Sequence, residues 1–248
     1  MINYLIGIIV NRDLENGRSI IVSKKQRYSH EMTVKNYDSH RFGTKSGQLI
    51  NKREIGYFKH YLKGISGEIL DIACGTGRIT AELIQKDRIV ISLDSSMNML
   101  KLTSQIANSI PLNADLFNLP FSSESFNALS IGRLFQHFDD LEMILSEALR
   151  IVKPKGFIAF DTFAWSPRQI HFLFSKNSPL GVFPHSSKQI KHLLSTLDLK
   201  LVQNDKAFLL PPGLLKTLPV TLFRLSEKLE AIVPKKLLAR HFWLIQKP

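Results

Sequence analysis

The sequence predicts a doubly wound α/β domain, a mostly parallel sheet with helices on both faces. Three observations predict it. Short apolar, β-branched runs alternate with amphipathic stretches of helical period, one strand-to-helix junction is a glycine-rich turn, and acidic residues recur where successive strands end. Parallel strands require crossover connections, and right-handed crossovers bury both sides of the sheet they join.

Taken in order, the first segment stands apart. Tyr4 to Val10 and Ser19 to Ser23 are β-branched runs around a polar stretch containing the turn dipeptide Asn16-Gly17, which predicts a hairpin. Residues 1–31 are read as an appendage, or as sequence ahead of a start at Met32, and residues 32–248 as one domain. From Gln48 to Leu62, Leu49, Ile50, Ile55, Phe58 and Leu62 recur at near-helical spacing, and Gly64 ends the helix. The alternation follows. A strand at Glu68 to Ala73 leads through Cys74-Gly75-Thr76-Gly77 to a helix at Ile79 to Ile84, then a strand at Arg88 to Leu93 leads to a helix at Ser96 to Ile106. Strands near Pro111 to Ala114 and at Phe126 to Ile131 precede a helix from Asp139 to Val152 and a strand at Phe157 to Phe163. Beyond Trp165 come a polar loop, a helix at Ser187 to Leu197, a strand at Lys200 to Ala207, a proline-bounded amphipathic stretch from Pro212 to Val233 and a last strand at Arg240 to Gln246. In that stretch Leu215, Leu218, Leu222, Leu225, Leu229 and Ile232 form one apolar stripe, which either packs on the sheet and over the site or lies on a membrane surface.

Composition sets the outer bounds. The chain of 248 residues, 44% hydrophobic and 22% charged, suits one large core with decorations. Its single cysteine, Cys74, excludes an internal disulfide and a cysteine-rich metal site and fits a reducing, cytoplasmic compartment. No apolar run reaches the ~20 residues of a membrane span. The first ten residues make a poor secretory signal, lacking a basic start and a small-residue cleavage site. A net charge of +12 admits nucleic acid, an anionic membrane or an acidic substrate as partner, or simply a basic solvated surface. The basic residues are scattered, with no aromatic-interleaved run, so no motif supports nucleic acid.

The chemistry concentrates at Glu68 to Arg78. Gly75 and Gly77 admit backbone conformations closed to other residues and let the main chain approach a ligand. Asp71, unwelcome beside a pyrophosphate, suits a cationic amine. Asp94 ends the second strand, where a carboxylate accepts from ribose hydroxyls, and Asp115, beside Leu116, follows the third, where it accepts from an exocyclic amine. A helix or turn cap explains any one of these acids; all three beside a glycine turn point to a ligand at the carboxyl rim of the sheet.

These residues carry a resemblance. The strings LDIACGTGRIT, ADLFNLPF, FNALSIG and RIVKPKG, with Asp94, resemble the class I S-adenosylmethionine-dependent methyltransferases, in particular the branch of quinone-biosynthesis and small-molecule enzymes. The likeness covers Tyr37 to Phe163 well and the rest in outline. It implies a Rossmann-like sheet of seven strands, the last antiparallel, and S-adenosyl-L-methionine as cofactor. It also implies that Asp71 and the turn Ala73, Cys74, Gly75 and Gly77 hold the methionine part, Asp94 with Ser95 the ribose, Asp115 and Leu116 the adenine, and that the main chain of Ile131 and Gly132 faces the methionine amine. Tyr37 and Arg41 match a segment that closes over the cofactor. Ala73 departs from the family, which more often has glycine there.

Transfer of a methyl group from a sulfonium mainly requires positioning and exclusion of water. His137, in the loop after the strand ending at Ile131, either serves as general base or bonds the backbone. Arg133 either meets an anionic acceptor or is solvated. A covalent cysteine mechanism is excluded, since Cys74 lies in the cofactor turn, and no Asn-Pro-Pro-aromatic string is present. The expected acceptor is a small molecule: the apolar lining of residues 166–233, read as the lid, points to a hydrophobic or lipid-like one, whereas the surface charge leans towards RNA or a phosphorylated molecule. The competing readings are an RNA-directed enzyme, a cofactor-binding protein without turnover, and an NAD-dependent oxidoreductase, which lacks its third glycine because position 80 is Thr80.

Overall fold

The computed structural model describes residues 31–165 and 183–248, so the expected N-terminal hairpin and most of the loop after Trp165 lie outside the described residues. Seven strands form one sheet: β1 (Gly67–Ile72), β2 (Arg88–Asp94), β3 (Ser109–Asn113), β4 (Phe126–Ile131), β5 (Val152–Phe163), β6 (Lys200–Ala207) and β7 (Arg240–Gln246). Their order is β3-β2-β1-β4-β5-β7-β6. Pairs among β1 to β5 are parallel, while β7 runs antiparallel to both β5 and β6. The order turns outward in opposite directions from β1 and β4, and the crevice beyond the carboxyl ends of two such strands is where open α/β sheets take ligands.

The described helices are α1 (Glu31–Lys35), α2 (Tyr37–Phe42), α3 (Lys45–Tyr61), α4 (Thr80–Leu83), α5 (Met97–Thr103), α6 (Glu142–Ile151), α7 (Ser187–Thr196), α8 (Pro212–Leu215) and α9 (Val220–Glu230). Caps fix several starts. Thr44 accepts from the Gly47 amide at α3, Ser96 from Met99 at α5, and Ser186 with Gln189 makes a capping box at α7.

Successive residues of a strand point to opposite faces, so the sheet builds two cores. Leu70, Ile72, Trp243 and Ile245 face one, with α6 and α7; Ile69, Phe242 and Leu244 face the other, with α3. Among the described residues no helix is long and apolar enough to cross a membrane, and no cluster of His, Cys, Asp and Glu could hold a metal.

Most predicted elements stand within a few residues of their expected bounds, and two corrections are instructive. β5 begins at Val152, because the chain re-enters the sheet directly from α6 with a register shift opposite Phe126 and Ala128. The amphipathic stretch from Pro212 to Val233 forms two helices, because Pro219, which has no amide to donate, separates α8 from α9. Its leucine stripe packs inward only in part: Leu215 is buried and Leu218 packs on the core beside α3, whereas Leu222, Leu225 and Ile232 are exposed. Phe223 and Ser226 are the buried residues of α9, held down by ion pairs of Glu230 (2.7 Å) and Glu227 (3.5 Å) with Arg53 on α3, which turn Leu222 and Leu225 outward.

Candidate binding site at the glycine turn

The end of β1 and the turn that follows make the site. Ala73, Gly75 and Gly77 all have positive φ (56°, 57° and 79°), so the chain coils left-handed immediately beyond the strand. At Gly77 there is a second reason for glycine, since a Cβ would lie 2.4 Å from Ile106 Cδ1. The turn is tied down from β2 and α5. The Cys74 amide donates to Leu93 O (3.0 Å), the Gly75 amide to Asp94 Oδ2 (2.9 Å), and Thr103 Oγ1 to Gly75 O (2.9 Å).

A small pocket opens beside this turn, lined by Tyr37, Asp71, Ala73, Cys74, Gly75, Thr76, Arg78, Ile79, Gly132 and Arg133; its enclosed volume, about 40 Å³, admits a group the size of an ammonium or a carboxylate. A larger open groove of about 390 Å³ lies between α7 and the start of β6, at the opposite rim of the sheet, away from the turn.

Asp71 is fully buried and its Oδ2 accepts from Thr80 Oγ1 (2.7 Å), whereas Oδ1 has no partner. Burial pushes its carboxyl up to about 6, with the Thr80 hydrogen bond and the charge of Arg78 offsetting only part of the rise. Opposite it stand guanidinium groups. Arg133 donates to both oxygens of Glu54 (2.9 and 2.8 Å), Arg78 lies 3.9 Å from the same carboxylate, and Arg240 pairs with Glu54 and, at 2.5 Å, with Asp161. Burial pushes Glu54 up, but Arg133, Arg240 and Arg78 together bring it down to about 2. Three guanidinium groups thus face two carboxylates, and the cluster keeps one net positive charge against the pocket wall. The Phe42 ring lies between Arg78 (4.4 Å) and Arg133 (5.7 Å).

The remaining sequence-predicted residues distribute as follows. Asp94 spends its oxygens on the main chain, Oδ2 on Gly75 and Oδ1 on Ser96 (2.8 Å), so it clamps the turn to the end of β2; burial raises its pKa. Ser95 is exposed just past that strand. Asp115 is exposed beyond β3 and accepts from the Phe117 amide (3.1 Å), while Leu116 packs on the core. Ile131 is buried at the end of β4 and Gly132 lines the pocket. Tyr37 lines it too, with Arg41 stacked 4.8 Å over its ring, and Asp38 of the same helix accepts from Thr76 Oγ1 (3.1 Å), so α2 is tied to the turn. His137 lies in a short 3₁₀ helix, Phe135–His137, with its Nε2 3.4 Å from Gln136 Nε2, and is not among the pocket-lining residues.

Arg133 is the clear correction. It is not solvated: its amide donates to Asp161 Oδ1 (2.6 Å) and its side chain is ion-paired to Glu54. The arginine cluster itself is absent from the sequence reading, although one signal for it was present. Glu54 sits between Ile50 and Phe58 on the buried face of α3, and an acid in the middle of an apolar stripe requires buried cations.

Residues 70–160 match the methyltransferase domain family. A demethylmenaquinone methyltransferase of Corynebacterium kroppenstedtii is 39% identical over 90 residues, 36% of this chain and 38% of that one. A malonyl-[acyl-carrier protein] O-methyltransferase of Buchnera aphidicola is 31% identical over 176 residues, 70% of this chain and 66% of that one. The matched stretch spans less than half the length of the first such relatives. Among solved structures, geranyl diphosphate C-methyltransferase from Streptomyces coelicolor, in complex with Mg2+, geranyl diphosphate and S-adenosyl-L-homocysteine, has the same fold (TM-score 0.62, 14% identity, 81% of this chain and 80% of that one).

Proposed function

The chain belongs to the class I methyltransferase family through residues 70–160, and from that premise we propose that it is an S-adenosylmethionine-dependent methyltransferase acting on a small, predominantly apolar acceptor. The observation that carries this reading is the charge pattern of the pocket: an unpartnered buried carboxylate oxygen on Asp71 faces the same enclosed space as Arg78 and Arg133. An anion and cations around room for one or two small groups are complementary to a zwitterionic α-amino acid, the methionine end of that cofactor. A nicotinamide dinucleotide would bring a pyrophosphate to the glycine turn, where Asp71 would repel it. Thr80, at the place of the third dinucleotide glycine, donates its hydroxyl to Asp71.

When bound, the cofactor supplies an already activated methyl group on its sulfonium. The residues of the chain bind and orient. Asp71 accepts from the ammonium with the main chain of Ile131 and Gly132, and the arginine wall receives the carboxylate. Ala73 to Gly77 provide a bare-backbone cradle, Asp94 with Ser95 takes the ribose, and Asp115 with Leu116 takes the adenine. Tyr37 and Arg41, on the helix tied to Thr76, close over it and exclude water. His137 takes the proton of the acceptor. The site works in a cytoplasmic, reducing compartment, in keeping with the single, partly buried thiol, whose pKa desolvation raises. Net charge alone speaks for an RNA acceptor, and no motif joins it.

Calorimetry with S-adenosylmethionine, S-adenosylhomocysteine and NAD tests the proposal. Micromolar binding of the first two only is expected, with His137→Ala leaving that binding intact while lowering turnover. Preferential binding of NAD would refute it. A radiolabelled methyl donor, offered with metabolite and RNA pools, then identifies the acceptor.

A further inference from the structure

Leu222 and Leu225 of the α9 stripe pack in neither core among the described residues. Leu222 and Leu225 are 49% and 51% exposed, Leu229, on the same face at i+7 from Leu222, is half-buried, and Ile232 just beyond the helix is 77% exposed. Phe223 and Ser226 hold the helix to the protein from its other side, so this orientation is not the fraying of a loose end. Contiguous apolar faces of this kind on a folded protein mark a docking surface.

Charge says what docks there. Both acids of α9 that come near the stripe are spent, Glu230 on Arg53 and Glu227 on Arg53 and Arg224. Lys228, Lys235 and Lys236 are exposed, and among the described residues no carboxylate pairs with them. Lys235 and Lys191 also crowd Lys206, whose pKa burial and these two neighbours lower, so the basic field extends from the end of α9 to the edge strand β6. A second copy of this chain would bring the same positive charge to the contact. Nucleic acid would answer the lysines and leave the leucines in water. An anionic lipid surface answers both: acyl chains take the leucines and headgroups take the lysines.

We propose that residues 220–236 form an interfacial element that seats this protein on anionic membranes, with Leu222, Leu225, Leu229 and Ile232 entering the acyl boundary and Lys228, Lys235 and Lys236 at headgroup level. The element is bonded into the rim that carries the pocket. Lys216 O and Leu218 O, at the chain entering α9, accept from Thr44 and Ser46 at the start of α3, and the chain leaving it begins β7 at Arg240, in the arginine cluster and opposite Phe163 at the carboxyl end of β5. The inference goes beyond the methyl-transfer reading and stands on lipid binding alone.

The test is co-sedimentation of the full chain with vesicles of phosphatidylcholine, with and without phosphatidylglycerol. Binding is expected to require the anionic lipid and to weaken with added salt. It should fall at least about tenfold in Leu222→Ser/Leu225→Ser and about tenfold in Lys235→Gln/Lys236→Gln. Both pairs lie on the exposed surface, so thermal unfolding and S-adenosylmethionine binding should match the parent chain and show that the variants are folded. Vesicle binding indifferent to the leucine pair overturns the proposal. So does failure of the parent chain to bind anionic vesicles, whether it instead dimerises through this face in sedimentation equilibrium or binds an RNA oligonucleotide with an affinity the leucine pair does not change.

Discussion

Replacing Asp94 by alanine removes the acceptor of two main-chain amides at once, Gly75 at 2.9 Å and Ser96 at 2.8 Å. Each is a bond to a charged group, worth about 1.5–3 kcal/mol. Asp94 is only partly buried, so water can refill part of the gap and the loss of fold stability should be about 2 kcal/mol rather than the full sum. The loss in binding should be larger. The Gly75 amide is released, the left-handed turn loses its clamp, and the proposed ribose acceptor disappears, together about 3 kcal/mol or a hundredfold in Kd. Asparagine provides an internal control. It keeps one carbonyl oxygen for one of the two amides but sets an NH2 against the other, so its defect should fall between wild type and alanine. Calorimetric titration with S-adenosylmethionine, paired with thermal unfolding, reads both quantities. An Asp94→Ala variant whose Kd stays within about threefold of wild type, or an Asp94→Asn variant weaker than alanine, would refute the clamp.

Other outcomes follow from the same geometry. Burial raises the carboxyl of Asp71 from 3.8 to about 6, so between those values the folded state holds more of this proton than the unfolded state, and stability falls as pH rises through that window by about 3 kcal/mol. A cation bound at Oδ1 needs the deprotonated form; affinity for S-adenosylmethionine should rise by up to about tenfold per pH unit below about pH 6 and level off above it, with proton release visible in buffers of different ionisation heat. A flat profile from pH 5 to 7 would count against Asp71 as the ammonium partner. Ala73→Gly should relieve about 1–2 kcal/mol of left-handed strain at φ 56° against about 0.4–1 kcal/mol of added unfolded-chain entropy. Its Tm should therefore rise by roughly 1–4 °C, and a lower Tm in calorimetry would contradict that account. Glu54→Gln leaves Arg133 and Arg240 buried without their shared counter-ion and should cost about 3–5 kcal/mol in urea unfolding; a loss below about 1 kcal/mol would mean that the cluster is solvated.

The elements that position the site were legible because their signals are local. Asp71 stands at a strand end, Gly75 and Gly77 occupy a turn that needs positive φ, and Asp94 closes the next strand, so the sequence carries the cradle in one contiguous run plus two spacings. What could not be read comes from distance. Arg240 meets Glu54 across 186 positions, and no periodicity reports such a pair. The exposed leucines of α9 mark a different limit. A period of 3.6 identifies a stripe but not the direction it faces, and here Arg53, on a helix far earlier in the chain, decides it. Ala73 shows a third. The departure from glycine was visible, yet its cost depends on a dihedral angle that composition does not report.

The place of β7 has a consequence for how the molecule is made. It is an interior strand, flanked by β5 and β6, although the ribosome produces it after both. Until residues 240–246 emerge, β5 and β6 each keep a bare edge, and Glu54 and Asp161 wait for the guanidinium of Arg240. Until β7 arrives the nascent sheet therefore stands split open, and a chaperone that shields those two edges would guard the step at which aggregation competes with closure of the sheet.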